Sequence, residues 1–587
     1  MIKFPQINWK QTNLSDILGS LWASFNLDLT DNLGVTKVSP RTLLINDDTT
    51  NMGIPAAFEF FDGEWWMVST SRIFENDGDT DSAFTDDNSS GALTTYDSDY
   101  SDLELFNGDL YATADTTLQK KESAAGAWGA NLLTLGTATI HLLLAFGARL
   151  YVTDLTSRVH SLSTADVAAS PDAVDANTVS NTLQLALYGG SDKNTITCMK
   201  ATTQYIWLGT LNRSQAGKGR VYYWDGAQPS PNGFVELDSI GVVAMVIKDD
   251  VPWIVDANGA LLKWNGGTFE EVARLPYDKR KFLGLPFDID NTDRFIHPNG
   301  IAMIDNRINM LVRNEYRDST TSVSENLPSG IWEYDPNIGL YHKMSLSYRT
   351  FSAGATTDHG QFILPKVGAI AKAKDDNNAA GADGSMLIGA QRYSNATSTA
   401  EGIWIDNVVD NIQKFGYLVT TKIFSQNITD TWNKLFIRIK ELLDSADIIW
   451  LKYRTEAVAA TEATITWTST TTCTTTTNVS AFIGYEMEVL NGTGGGKCSK
   501  ITNVTESGGT YTITLQETFT GVTTGTAIAR FQYWIEVGKF TNQNDKFFSA
   551  PIGESTPWIQ FKICVQFTGA NEIYDFLLIN KPHQLAE

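Results

Sequence analysis

A short phrase of β-strand patterns recurs between residues 50 and 415 and constrains the fold more than any other feature of the chain. In each copy a hydrophobic strand ends in a turn with Gly, Asn or Asp, and a second strand with an aromatic or apolar centre follows. The steps between equivalent positions, about 40 to 75 residues, match the blade period of β-propellers once loop insertions are allowed. Seven copies align on Trp66, Tyr111, Tyr151, Trp207, Trp253, Met310 and Met386.

These copies predict a closed ring, because one four-stranded blade has two apolar faces and cannot bury both alone. The turns Asp62-Gly63 and Asn107-Gly108 supply the positive φ that tight hairpins need. An alternative interpretation is a series of ordinary hairpins from unrelated β-sandwiches, in which such turns are also common. The number and order of the copies favour a β-propeller of about seven blades over residues 50–415, and no WD-repeat or kelch signature assigns it to either family.

The ends of the chain carry different patterns. Residues 1–49 are interpreted as an N-terminal arm on a neighbouring surface or as a segment that closes the last blade. After the last repeat, the strand patterns predict a β-sandwich from residues 416–456 and 530–587. The Thr- and Gly-rich residues 457–529 interrupt that pattern and are predicted to form a small inserted β-domain. The predicted fold class is therefore all-β.

Alternation near the C-terminus supports the sandwich. Phe561, Ile563 and Val565 alternate with the polar residues Gln560 and Lys562. Such alternation is typical of half-buried antiparallel strands, with one face on a core and the other in water.

Composition and charge exclude several classes of protein. The chain has 587 residues, of which 42% are hydrophobic and 19% charged, so several folded domains are expected. The formal net charge of -23 opposes sequence-independent binding to nucleic acid and to anionic lipids. The sequence has neither a secretory signal pattern nor a stretch of roughly 20 apolar residues, so membrane insertion is not predicted.

The four cysteines, Cys198, Cys473, Cys498 and Cys564, form no C-x-x-C pair and have no histidine spaced to complete a zinc site. They are predicted to be individual buried thiols. A disulfide between Cys473 and Cys498 is the alternative.

No catalytic motif is found. The segment NGTGGGKCS at Asn491–Ser499 lacks the first Gly and the final Ser or Thr of a phosphate-binding P-loop, so a glycine-rich β-turn is expected. The six histidines show no metal-binding spacing, and no Gly-x-Ser-x-Gly elbow accompanies them. The chain is therefore predicted not to be an enzyme, with no catalytic residue and no cofactor site.

One acidic loop offers a weak metal site. Asp77, Asp79 and Asp81 stand at alternate positions and could direct oxygen atoms to one calcium ion. The spacing departs from an EF-hand loop, and a solvated loop between strands is the competing interpretation.

Aromatic pairs raise the question of sugar binding. Trp65, Trp66, Tyr222, Tyr223 and Trp224 could stack on sugar rings. Adjacent strand residues point to opposite faces, so core packing is the expectation for most of them.

Taken together, the sequence resembles the β-propeller tail proteins of tailed bacteriophages, especially nozzle-like and tail-tip components. The resemblance is carried by the repeat phrases, by strands ending in LKYRTE and EIYDFLLIN, and by the hairpin EVLNGTGGGKCSKITNV. It implies a virion structural protein that is assembled in the host cytoplasm and forms a ring of identical copies below the head–tail connector. The implied partners are further copies, other tail or connector proteins, and phage DNA that passes during ejection without specific binding.

Two other functions stay open. The first is a receptor- or glycan-binding tail or surface protein, whose partner would be a host surface glycan. The second is a polysaccharide-degrading enzyme, since a propeller can place two carboxylates on separate blades.

Overall fold

The computed structural model describes residues 2–3, 21–25, 27–28, 36–38, 40–48, 52–69, 72–76, 84–87, 101–114, 117–129, 132–134, 140–154, 158–168, 174–175, 181–185, 194–212, 218–275, 295–313, 329–336, 338–346, 366–373, 386–393, 399–412, 415–420, 422–424, 431–445, 447–455, 460–494, 497–519, 522, 524–567 and 571–581. Almost all of the regular structure in these ranges is β-strand. Five strands precede the repeats: β1 (Ile2–Lys3), β2 (Leu21–Phe25), β3 (Leu27–Asp28), β4 (Thr36–Val38) and β5 (Pro40–Asp48).

Within these ranges, the repeats form seven successive sheets of mainly antiparallel strands, called blades 1 to 7. Blade 1 has β6 (Pro55–Phe61), β7 (Glu64–Ser69), β8 (Ile73–Asn76) and β9 (Thr85–Asp86). Blade 2 has β10 (Leu103–Phe106), β11 (Asp109–Ala114), β12 (Thr117–Lys121) and β13 (Leu133–Thr134), and β17 (Val174–Asp175) pairs parallel to β13. Blade 3 has β14 (Ile140–Phe146), β15 (Arg149–Asp154), β16 (Arg158–Ser163) and β18 (Asn181–Gln184), with helix α1 (Thr164–Ala168) after β16.

The later blades follow the same plan. Blade 4 has β19 (Asn194–Ala201), β20 (Ile206–Asn212), β21 (Arg220–Trp224) and β22 (Gly233–Glu236). Blade 5 has β23 (Val242–Lys248), β24 (Val251–Asp256), β25 (Ala260–Trp264) and β26 (Phe269–Arg274). Blade 6 has β27 (Ile301–Ile304), β28 (Arg307–Val312), β29 (Gly330–Asp335) and β30 (Gly339–Met344). Blade 7 has β31 (Lys366–Lys372), β32 (Met386–Tyr393) and β33 (Thr399–Ile412).

The blades form a ring. The first strand of each blade contacts the first strand of the next, and β31 of blade 7 contacts β6 of blade 1. The last contact is so close that a Cβ at Gly368 would lie 2.1 Å from the carbonyl oxygen of Pro55, so no side chain fits there. The predicted all-β fold with a β-propeller is thus confirmed.

The seven aligned residues have one structural role. Each lies in the second strand of its blade, and all seven are buried. The hairpin turns adopt the predicted backbone, with φ of 51° and 90° at Asp62-Gly63 and of 53° and 91° at Asn107-Gly108. These angles match the two-residue turns whose twist fits paired strands.

The N-terminal strands belong partly to the propeller and partly to the sandwich. Strand β5 pairs with β33, with Leu43 opposite Ile405, and completes blade 7 as its fourth strand. Strand β2 pairs with β34 (Phe415–Thr420), whereas β1 and β4 pair with β47 (Glu572–Lys581). The segment therefore contains a blade-closing strand, and it also supplies sandwich strands that the sequence did not predict.

Two packed sheets form the sandwich. One sheet, called the barrel-facing sheet because it lies against the inserted barrel described below, has the order β2-β34-β46-β37-β44, with β35 also on β46. The other, called the far sheet, has the order β3-β4-β47-β36-β45, with β1 on β47. A cluster of buried apolar residues from both sheets fills the space between them. The remaining strands are β35 (Ile423–Phe424), β36 (Thr431–Ile439), β37 (Ile448–Arg454), β44 (Ile535–Phe540), β45 (Phe547–Glu554) and β46 (Trp558–Gln566).

The inserted segment is a closed barrel with the strand order β38-β39-β42-β41-β40-β43. It leaves the barrel-facing sheet after β37 and returns at β44, and these two strands pair with each other. Trp467, Phe482 and Phe531 lie in its core. Its strands are β38 (Thr461–Trp467), β39 (Thr472–Thr475), β40 (Glu486–Gly492), β41 (Cys498–Ser507), β42 (Thr510–Leu515) and β43 (Gly525–Gln532), with a 3-10 turn at Ser480–Phe482.

Within the described ranges, no helix combines the length and apolar character required to cross a membrane.

Candidate functional site

The barrel covers the polar face of the barrel-facing sheet. Along β46, Phe561, Ile563 and Val565 point into the sandwich core, as the alternation indicates. The opposite face was expected to meet water, yet Gln560 and Lys562 are each only 1% exposed. The prediction of half-buried strands is therefore wrong here, because the inserted barrel lies on the side that the sequence assigns to solvent.

Buried charged side chains fill the interface between the inserted barrel and the barrel-facing sheet. Glu486 of β40 accepts hydrogen bonds from Lys452 of β37 and from Lys562 of β46, whose Nζ lies 2.5 Å from Oε1. Lys562 also lies 3.4 Å from Glu488, and its Nζ is 4.2 Å from the centre of the Tyr417 ring. A buried ion requires a close counter-ion because its hydration is lost, so these groups hold one another in place.

The charges also set the protonation states at the interface. Burial by itself raises the pKa of the Glu486 carboxyl, but the ammonium groups of Lys452 and Lys562 lower it to about 2. Burial opposes the charged form of Lys562, yet Glu486 and Glu488 raise its pKa well above the ordinary value. Glu486 is thus an anion and Lys562 a cation at neutral pH.

Two thiols lie beside the charges. The Sγ atoms of Cys498 in β41 and Cys564 in β46 are 3.9 Å apart, and Nζ of Lys452 is 3.4 Å from Sγ of Cys498. Cys473 lies elsewhere, in the barrel core, with its Sγ 3.9 Å from Sδ of Met487. The alternative disulfide between Cys473 and Cys498 is therefore wrong, since one side chain points into the barrel and the other towards the sandwich.

Glu486, Cys498 and Cys564 form a group whose ligand atoms lie within 4.8 Å of one another. Thiolate and carboxylate are ligand types that zinc accepts. Both carboxylate oxygens of Glu486, however, already accept hydrogen bonds from ammonium groups. A metal cation would have to displace a lysine ammonium group from Glu486 and would then be repelled by the positive charge of that lysine. The group therefore does not fit a metal ion.

A second polar group lies where the first strands of the blades meet. This axial cluster consists of Glu59 of β6, Asp102 and Glu104 of blade 2, Lys200 of β19 and Asn299, which precedes β27. Nδ2 of Asn299 lies 3.1 Å from Oδ1 of Asp102 and 3.1 Å from the carbonyl oxygen of Ala56. These contacts connect blade 6 to blades 1 and 2 across the ring.

The axial carboxyls hold protons unusually tightly. Burial raises the pKa of Glu104 to about 8, with a further contribution from the neighbouring charge of Asp102. Burial also raises the pKa of Glu59 to about 7 and that of Asp102 to about 6, the latter against the charge of Lys200 and hydrogen bonds from Leu143 and Asn299. The cluster can therefore take up or release protons close to neutral pH.

The predicted metal ligands Asp77, Asp79 and Asp81 lie outside the described residues. The glycine-rich segment is a β-hairpin connection, because β40 and β41 on its two sides pair, with Glu488 opposite Cys498.

The aromatic candidates for sugar stacking lie in the propeller core. Trp65, Trp66, Tyr222 and Trp224 are at most 3% exposed. Tyr223 is half-buried and packs against the rings of Tyr205 and Trp207. The expected core packing therefore holds for most of the five, and the four buried rings present no face to a sugar.

No family model matches the chain, and no curated protein matches it. Solved structures are similar only in fold. The β-propeller domain of Cps50 (Swd1) from Myceliophteria thermophila is 10% identical with a TM-score of 0.36, and the match covers 62% of this chain and 100% of that one. A chain of the Mitotic Checkpoint Complex is 14% identical with a TM-score of 0.38, covering 68% and 99%. The computationally designed Ika8 protein is 14% identical with a TM-score of 0.35, covering 65% and 96%. Similarity at this level supports no statement about function. The strand pairing itself shows a β-propeller joined to a β-sandwich.

Proposed function

We propose that the protein is a virion structural protein of a tailed bacteriophage, a nozzle-like tail component that takes part in DNA ejection and host attachment. The proposal starts from the resemblance of the repeat phrases and of the segments LKYRTE and EIYDFLLIN to phage tail proteins. In this proposal, identical copies form a ring below the head–tail connector. Assembly takes place in the host cytoplasm, and the other partners are tail or connector proteins.

The observation that carries the proposal is the way the N-terminal strands fasten the molecule. Strand β5 completes blade 7, whereas β2 and β4 belong to the two sheets of the sandwich. The chain crosses between propeller and sandwich a second time from β33 to β34. The propeller and the sandwich are therefore joined by two chain crossings, one before the repeats and one after them. A subunit that must keep its shape while DNA passes under pressure needs such a connection.

The charge of the chain agrees with this role. A net charge of -23 repels the phosphate backbone, so DNA could pass an assembled ring without adhering to it.

Contacts between copies would require an exposed apolar surface. Phe547 is 69% exposed, the highest value among the large hydrophobic residues in the described part of the chain. It lies on β45, which ends the strand order of the far sheet. An edge strand with an exposed aromatic residue favours pairing with another chain, so this edge is the proposed contact between copies.

The test is the oligomeric state of the purified full-length protein, measured by mass photometry and electron microscopy. We expect rings with a central opening, and we expect Phe547→Asp to reduce them to single subunits. The control is Ile483→Asp on the barrel, where Ile483 is 45% exposed; it should leave the rings intact. A wild-type protein that stays monomeric or trimeric and binds cell-wall polysaccharide would contradict the proposal and favour a glycan-binding surface protein.

The axial cluster is the one observation that favours a polysaccharide-degrading enzyme. Glycoside hydrolysis uses two carboxyl groups, one of which is protonated at neutral pH, and Glu59 and Glu104 lie on neighbouring blades with raised pKa values. Release of reducing sugar from bacterial polysaccharide, lost in both Glu59→Gln and Glu104→Gln, would establish this second function in place of a purely structural role.

A further inference from the structure

We propose that Cys498 and Cys564 form a disulfide bond that fastens the inserted barrel covalently to the sandwich. Their Sγ atoms are 3.9 Å apart, and their strands belong to different bodies, β41 to the barrel and β46 to the barrel-facing sheet. A disulfide has a sulfur–sulfur distance of about 2 Å. Forming the bond therefore requires the two sulfur atoms to approach by about 2 Å.

The surroundings favour this bond over the other uses of two thiols. Burial raises the pKa of the Cys564 thiol, but the hydrogen bond from Cys498 and the charges of Lys452 and Lys562 lower it below its ordinary value. The thiolate is the form of cysteine that reacts with oxidants and disulfides. The hydrogen bond from Cys498 to Cys564 also marks Cys498 as the thiol that keeps its proton.

The charge balance supports the same conclusion. Lys452 and Lys562 are already neutralised by Glu486 and Glu488. A disulfide is neutral and adds no buried charge, whereas a lasting thiolate or a metal ion would add one. The two ammonium groups thus stabilise the thiolate during the reaction and keep their carboxylate partners afterwards.

With a peroxide as the oxidant, the reaction has two steps. The Cys564 thiolate attacks one oxygen of hydrogen peroxide; the O–O bond breaks, hydroxide leaves and takes up a proton to become water, and Cys564 becomes a sulfenic acid. Cys498 then loses its proton and its sulfur attacks the sulfur of Cys564. The S–S bond forms, the S–O bond breaks, and the second oxygen leaves as water. Two thiols are oxidised, and one peroxide is reduced to two waters.

The disulfide would be a third covalent connection between the barrel and the sandwich. The barrel is otherwise attached through the chain at β37 and at its neighbour β44, the edge strand of the barrel-facing sheet. Cys564 lies on β46, on the other side of β37 from that edge strand. A covalent bond at this position would hold the barrel down on the sheet and would prevent it from swinging about its two linking strands.

The test is peptide mapping of the full-length protein. Reduced protein is treated with dilute hydrogen peroxide, denatured in iodoacetamide to block remaining thiols, and digested with trypsin without reductant. We expect the peptide Cys498–Lys500 joined to Ile563–Glu587, two hydrogen atoms lighter than the sum of the separate peptides; the Lys581–Pro582 bond resists trypsin. Cys498→Ser and Cys564→Ser should abolish the joined peptide, whereas Cys198→Ser and Cys473→Ser should leave it unchanged.

Several results would overturn the proposal, and all can be read from the wild-type protein even if a serine variant does not fold. One such result is that iodoacetamide still alkylates all four cysteines after peroxide treatment. Another is that Cys564 is found only as sulfinic or sulfonic acid. A third is that Cys498 is found joined to Lys452 through an oxygen atom. The second measurement is thermal unfolding of oxidised and reduced wild type. A higher Tm for the oxidised form is expected, and an equal Tm would show that the bond does not fasten the barrel.

Discussion

Tyr341 of β30 donates a hydrogen bond of 2.6 Å to Glu333 of the neighbouring strand β29, while its ring packs among the core residues of the sandwich. One side chain thus contacts both the propeller and the sandwich. Its hydroxyl group is held by blade 6, where Lys343 and Arg307 also contact the Glu333 carboxylate at 2.6 Å and 3.3 Å. The propeller and the sandwich therefore share a packed interface at this blade.

The first prediction separates the ring of Tyr341 from its hydroxyl group. Tyr341→Ala should cost about 3 to 5 kcal/mol, because it leaves a cavity in the interface. Tyr341→Phe should cost only about 1 to 2 kcal/mol, because Glu333 keeps both cationic partners. Urea unfolding followed by tryptophan fluorescence measures both values. Equal losses for the two variants would mean that the hydrogen bond, and not the packing, holds the interface.

The second prediction concerns the ions beneath the barrel. Glu486→Gln removes the carboxylate that accepts from Lys452 and Lys562 and should cost about 3 to 5 kcal/mol, as expected when one partner of a buried ion pair is lost. The control is Asp238→Asn, which breaks the exposed ion pair with Lys218 at 3.2 Å and should leave stability unchanged. Both are measured by calorimetry; similar losses in the two variants would contradict the assignment of Glu486 as the central ion.

The propeller was predictable from the sequence because its pattern repeats, whereas the interface under the barrel was not. Trp66 and Tyr111 fall at equivalent positions because each blade buries the same second strand, and the turn Asp62-Gly63 has a local backbone requirement. Lys562 instead occupies a strand position that a sandwich normally exposes, and only the distant barrel buries it. Strand alternation identifies two faces, but it cannot say what covers the polar one.

The ion network illustrates the same limit. Lys452 and Glu486 are 34 residues apart, and no local pattern pairs them. The axial cluster was also missed, since Glu59 and Glu104 look like ordinary polar positions of edge hairpins. The one available signal was a glutamate at the same place in blades 1 and 2, two residues before the end of the first strand.

The third prediction is a loss of stability as the pH rises past neutral. The folded pKa of Glu104, about 8, lies above its ordinary value of 4.5, so the folded state binds the proton more tightly than the unfolded chain. This contribution is complete below pH 4.5 and is lost as the pH rises through 8. Tm measured from pH 6.5 to 9 should therefore fall, and Glu104→Gln should flatten the decline. Glu270→Gln, at an exposed position of β26, is the control and should show the same dependence of Tm on pH as the wild type.

The fourth prediction concerns acid. His342 of β30 is buried, its Nε2 lies 3.2 Å from the carbonyl oxygen of Ser329, and burial lowers its pKa from 6.5 to about 3. Between these two values the unfolded chain binds a proton that the folded chain does not, so stability falls as the pH decreases from 6.5 to 3. His342→Gln should reduce the slope of Tm against pH in that window. An unchanged slope would show that other groups cause the acid sensitivity.

The fifth prediction tests the closure of the ring by comparing two N-terminal deletions. Removal of residues 1–39 takes away β1 to β4 and leaves β5 in blade 7, whereas removal of residues 1–49 also takes away β5. The longer deletion leaves β33 as an unpaired edge, which favours aggregation. In hydrogen exchange, the β33 amides that face β5 should stay protected in the shorter deletion and become fast in the longer one, while those that face β32 stay protected in both. The longer deletion should also have the lower Tm. Equal protection of β33 in both proteins would mean that blade 7 is stable with three strands and that the N-terminal segment serves only the sandwich.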